Sequence, residues 1–84
     1  SGQRVELFPN PVEETLQLSL QGFSSQELQI SVMDATGKKL FTQDYEINSD
    51  MDIWEINARH FPSGVYLVAV THKDGRFVEK FSQL

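Results

Sequence analysis

Eighty-four residues suffice for one domain. Twelve acidic against seven basic side chains leave a net charge of −5 and a pI near 4.8, which argues against nucleic acid or an anionic membrane as partner, because both are met with a clustered basic face. There is no cysteine, so disulfides, thiolate metal sites and Cys nucleophiles are excluded and an unstapled core must hold the fold.

In chain order, Ser1-Gly2-Gln3 reads as a cloning remnant or trimmed linker, leaving residues 4–84 as the domain. Arg4-Val5-Glu6-Leu7-Phe8 reads as a short edge strand. It stops at Pro9-Asn10-Pro11, because each Pro lacks the N–H that a central ladder needs. Residues 15–21 alternate strictly, with Leu16, Leu18 and Leu20 on one face, the pattern of a half-buried antiparallel strand. Residues 22–26 form a loop from which Phe23 is expected to fold back as a plug. Residues 27–34 alternate again, with Leu28, Ile30 and Val32 inward. Asp34-Ala35-Thr36-Gly37-Lys38 then reads as a hairpin turn, Asp opening it and Gly supplying a positive φ. The return strand over residues 39–46 alternates less cleanly, with Phe41 and Tyr45 on one face and Leu40 and Thr42 on the other, and is placed near an edge.

After the polar turn Asn48-Ser49-Asp50, residues 51–57 give a strand with Trp54 and Ile56 in the core. Residues 58–61 read as one helical turn before Pro62. The most apolar stretch follows: Val65-Tyr66-Leu67-Val68-Ala69-Val70, bounded by Phe61-Pro62-Ser63-Gly64 and by polar residues from Thr71. Its length, three valines and turn-rich borders favour a strand buried on both faces over a helix. Asp74-Gly75 predicts a type I′ hairpin, and residues 76–82 close the chain as a strand. Seven short strands spaced by about ten residues predict an all-β fold, an antiparallel β-sandwich rather than a barrel or an α/β fold.

Candidate chemistry is sparse. His60 falls in a turn and His72 at a strand end, where both read as exposed polar residues. No Ser sits in a nucleophile-elbow context. Asn48, Asp50 and Asp52 lack the oxygen count and loop glycine of a calcium site. Glu13-Glu14 reads as a solvated turn, and Gly64 and Gly75 as turn glycines without phosphate-cradling spacing. No catalytic residue, metal ligand or cofactor is assigned. Trp54 reads as core; exposed, it would join Phe41 and Tyr45 as a platform for stacking on sugar.

Three anchors in sequence order carry a resemblance: Leu7-Phe8-Pro9-Asn10-Pro11, Asp34-Ala35-Thr36-Gly37-Lys38 and Phe61-Pro62-Ser63-Gly64-Val65-Tyr66. Together they resemble the type A C-terminal sorting domain of the type IX (Por) secretion system of Bacteroidota, over nearly the whole chain. The resemblance implies an immunoglobulin-like sandwich that acts as a non-catalytic secretion signal for a larger cargo protein. The cargo would cross the periplasm, be recognised by the outer-membrane secretion machinery, and end secreted or at the cell surface, in several members after cleavage by a sortase-like protease. It points to Gly64 and Tyr66, and to Val78, Lys80 and Phe81 of the last strand, as signal residues. Phe77 joins them on a physical ground: Phe77 and Phe81 share one face of that strand and Val78 and Lys80 the other, and so thin a domain cannot bury both. An edge strand of this kind also invites a weak or strand-exchanged homodimer. The competing readings are a carbohydrate-binding or adhesion sandwich and a passive spacer beside a secreted enzyme.

Overall fold

The computed structural model describes residues 2–9, 14–23 and 26–84. Through them run seven strands: β1 (Arg4–Phe8), β2 (Thr15–Gln21), β3 (Gln26–Asp34), β4 (Lys39–Ile47), β5 (Met51–Asn57), β6 (Gly64–His72) and β7 (Gly75–Gln83). They form two antiparallel sheets, one in the order β1-β2-β5 and one in the order β4-β3-β6-β7. Strands 1, 2 and 5 share a sheet, while strands 3, 6 and 7 make up most of the other. That partition is the one found in immunoglobulin-type sandwiches, with the fourth strand here joined to the third.

The core is where the alternating patterns meet. Leu16, Leu18 and Leu20 of β2 face Leu28, Ile30 and Val32 of β3 and Val68 and Val70 of β6, all essentially removed from water. Phe23 plugs one end of the sandwich and is fully buried. Trp54 is buried, with Ile56 packed beside it. The expected edge positions of β1 and β4 also hold. Of the first anchor, Leu7, Phe8 and Pro9 lie within the described residues; Asn10 and Pro11 lie outside them, as do Ser1, Glu13, Ser24 and Ser25.

Two local expectations need correction, and two others gain their geometry. Residues 58–61 make the single turn expected before Pro62, closed by the Phe61 N–H donating to the Ala58 carbonyl at 3.0 Å. The last hairpin turns one residue early: His72 pairs with Gly75, so the two-residue loop is Lys73-Asp74 and not Asp74-Gly75. In β4 the alternation breaks because the register with β3 shifts between Val32 and Met33, which pair with Phe41 and Lys39 and leave Leu40 as the extra residue. Lastly, β6 is buried on both faces only midway. Its inward residues Tyr66, Val68 and Val70 are buried, and so is outward Ala69, but outward Val65 is 42% exposed and Leu67 half-buried.

Gly22 is indispensable where β2 leaves the sheet. Its φ is +82°, and a Cβ there would lie 2.5 Å from the Gly2 carbonyl oxygen and 2.9 Å from the Gln3 Cα. Its N–H meanwhile donates to the Asp50 carbonyl at 2.9 Å, joining the β2 exit to the entry of β5. Gly22→Ala therefore combines backbone strain with a backbone clash, and urea titration is expected to show a loss of at least ~1–3 kcal/mol.

Candidate functional site

The entry to β6 is held by one aromatic side chain. Tyr66 pairs across the ladder with Phe81, and the two rings stack at 5.4 Å with planes 20° apart. Phe61 packs on Tyr66 as well, at 5.4 Å. The Tyr66 hydroxyl donates to the Pro62 carbonyl, which satisfies a polar group that would otherwise be buried at a cost. Phe61, Pro62, Tyr66 and Phe81 thus act as one clamp: the turn before β6, the strand itself and the closing strand are fixed together. Gly64, between Pro62 and Tyr66 in the chain, is exposed at φ +154°, with no atom within 4 Å of the place a Cβ would take. Another residue there would meet backbone strain rather than crowding.

The two faces of β7 are now distinct. Phe81 is fully buried and Phe77 half-buried on the inward face. Phe77 stacks on His72 at 5.5 Å, and both rings meet Phe23 edge-on. His72 is therefore a packing residue rather than an exposed one; its Nδ1 accepts the Asp74 N–H at 3.3 Å. His60 is exposed, as expected. On the outward face of β7, Val78 is 46% exposed and Lys80 exposed. The six residues singled out in the sequence accordingly fall into two groups. Tyr66, Phe77 and Phe81 lie inside or partly inside the sandwich, and Gly64, Val78 and Lys80 lie at its surface.

At the opposite edge, the inward sides of β4 and β5 are joined by polar contacts between the two sheets. The Trp54 Nε1–H donates to Gln43 Oε1 at 3.3 Å, and the Phe41 ring lies 6.3 Å from that of Trp54. Burial first, then a hydrogen bond with Asp52 and its negative charge, push the Tyr45 phenol above its usual range. A sugar-stacking platform of Trp54, Phe41 and Tyr45 is not presented: Trp54 is 3% exposed and Tyr45 half-buried, leaving only Phe41 substantially open. Among the described residues, no group of three His, Asp or Glu side chains is placed to hold a metal ion.

The β3–β4 hairpin is built on Asp34. Its Oδ1 accepts from the Thr36 N–H at 2.9 Å, the Thr36 hydroxyl at 2.6 Å and the Lys38 N–H at 3.0 Å. The Gly37 N–H closes on the Asp34 carbonyl. The Thr36 hydroxyl is the main cause of an Asp34 pKa below the usual carboxylate range, with the backbone N–H groups and the Lys38 charge adding to it. The second anchor is thus a self-contained turn that sets the β3–β4 register.

The arrangement places the molecule in the class of small immunoglobulin-like β-sandwiches. Comparison with known families makes this specific. The family model described as the secretion system C-terminal sorting domain matches residues 6–82, and the chain belongs to that family. The domain is a C-terminal secretion signal for type IX secretion: it interacts with the secretion machinery and directs export to the cell surface or the extracellular space. The family's role is sorting, not catalysis. No curated protein matches the chain.

The clamp is the feature sequence reasoning missed. A Pro carbonyl four residues before a Tyr at a strand entry was the available signal, since a buried phenol must find an acceptor nearby. Tyr66→Phe, which keeps the stack and loses the hydrogen bond, is expected to cost about 1 kcal/mol. Phe81→Ala, which empties the stack, is expected to cost about 3–5 kcal/mol. Urea unfolding of both variants separates the two contributions.

Asp34 gives a pH test. A carboxyl whose pKa is depressed on folding stabilises fully above the unfolded value and loses that contribution as pH falls through the folded one. The stability gap between the native chain and Asp34→Ala is therefore expected to be largest near about pH 7 and to shrink towards about pH 2, read from unfolding curves at each.

Proposed function

We propose that the folded sandwich is itself the signal, and that it is read at the outward face of β7, where Val78 and Lys80 lie, and at exposed Gly64 at the start of β6, while Tyr66, Phe77 and Phe81 hold these positions in shape. The observation that carries this reading is the family match over residues 6–82. The exposure of Val78 and Lys80 beside the buried Phe81 supports it. The domain performs no chemistry of its own in this reading. The cargo passes through the periplasm, the outer-membrane machinery engages the domain, and a sortase-like protease removes it as the cargo is secreted or fixed to the cell surface. A weak homodimer would arise by exchange of β7, the edge strand of its sheet.

The test is a periplasmic reporter carrying residues 1–84 at its C-terminus, followed to the medium and cell surface of a bacterium with a working type IX system. The fusion is expected to leave the cell while the reporter alone stays behind. Val78→Glu, on an exposed side chain, is expected to reduce export without unfolding the domain. Retention of the native fusion would overturn the sorting assignment for this chain; equal export of the Val78→Glu fusion would remove Val78 from the surface that is read.

A further inference from the structure

In a two-layered sandwich the outward face of each sheet meets water and is expected to be polar. The four-stranded sheet departs from this. Strand register sets its outward residues in rows across β4, β3, β6 and β7. One row reads Lys39, Met33, Leu67, Lys80, and the next Thr42, Ser31, Ala69, Val78. Val65 lies two residues from Leu67 on the same face. Val65 and Val78 are 42% and 46% exposed, and Met33 and Leu67 are half-buried, so the apolar surface is continuous over three strands. On the other sheet, by contrast, outward Met51 and Ile53 lie on the edge strand β5 and pair with Gln21 and Ser19, which interrupts any apolar patch.

The charges on this face are ordered as well. Lys39 and Lys80 bracket the apolar pair from the two edge strands, three strand spacings or about 14 Å apart. The next row reads Asp44, Gln29, Thr71, Arg76, and beyond it Glu46 lies beside Glu27, so the carboxylates of this face gather on its β3–β4 side. A chain of net charge −5, with carboxylates on the very face in question, is poorly suited to an anionic membrane or to nucleic acid. An apolar centre flanked by charge is the anatomy of a protein–protein interface.

We propose that the outward face of the four-stranded sheet, centred on Met33, Val65, Leu67 and Val78 and flanked by Lys39 and Lys80, docks a protein of the secretion machinery whose own surface presents an apolar centre with carboxylates on either side. This rests on the sorting reading and extends the surface that is read from the closing strand to β3, β4 and β6. The lysines set orientation and reject basic partners, and the apolar centre supplies most of the affinity.

The test uses the reporter fusion with the full chain. Leu67→Glu and the double variant K39E/K80E are each expected to lower export by about tenfold or more. The control R59E/K73E makes the same change in net charge off the face and is expected to export normally. K39E/K80E alters only exposed side chains, and with its fold verified by circular dichroism it decides the matter even where Leu67→Glu fails to fold. Export of K39E/K80E at the native level, with the native fusion exported, overturns the proposal and leaves the sorting reading standing. Retention of the native fusion overturns the sorting reading and this inference with it. Sedimentation of the native fusion and its flotation with phosphatidylglycerol-containing vesicles test the rival occupants. A dimer, or vesicle binding, abolished by K39E/K80E would assign the face to a second copy or to a membrane and overturn the proposal.

Discussion

The sandwich depends on the stack of Tyr66 between Phe61 and Phe81, sealed by the hydroxyl on the Pro62 carbonyl. It joins three parts of the chain that ladder hydrogen bonds alone would connect only in pairs: the turn after β5, the central strand β6 and the closing strand β7. A short chain without cysteine has little core area per residue, so such a node matters more here than in a larger domain. It also gives a physical reason for the composition of Phe61-Pro62-Ser63-Gly64-Val65-Tyr66. The Pro gives the turn and the acceptor, the Gly takes a φ that other residues resist, and the Tyr closes the clamp.

The same node separates structure from surface along the last two strands. Fixing Phe81 against Tyr66 sets the register of β7 on β6, and strand alternation does the rest. Phe77 follows Phe81 inward, while Val78 and Lys80 turn outward opposite Ala69 and Leu67. An inward residue governs whether the surface exists, and an outward one governs what it meets. Substitutions at the two kinds of position should therefore have different signatures even where both abolish export.

Much of the fold could be read from the sequence where one face alternates without competition. Leu16, Leu18 and Leu20 leave no second reading of β2, and the Asp34 turn carries its own chemistry. Strand β4 was harder, because the extra residue at Leu40 shifts the pattern by one and mixes the faces, and periodicity alone has no signal for a bulge. The last hairpin misled through Asp74-Gly75, a sound turn dipeptide that here straddles the end of the loop, with His72 taking the Asp74 N–H. The candidate site was legible as a list but not as a geometry. Phe77 and Phe81 on one face and Val78 and Lys80 on the other are equally plausible inward sets until a neighbour decides. That neighbour is Tyr66, whose inward direction follows from packing across two sheets. The outward apolar rows were invisible for a related reason: Met33, Leu67 and Val78 are far apart in the chain, and only the register of three strands brings them together.

This division bears on how a sorting signal of this kind can be dissected. Removing residues 76–84 would be the simplest way to ask whether the last strand carries the signal. Yet that cut takes Phe77 from the Phe23–His72 cluster and Phe81 from the Tyr66 stack, and leaves the whole edge of β6 unpaired. An unfolded export substrate and a folded one without its signal would both remain in the cell, so loss of export after truncation cannot distinguish a missing contact from a missing fold. Outward charge changes avoid the ambiguity, because they alter the surface that a partner meets while the clamp beneath stays intact. If recognition resided in the linear tail alone, Lys39 and Leu67, which precede that tail in the chain, would be irrelevant to export. If it resides in the folded face, they matter as much as Lys80, because the sheet sets them in the same row.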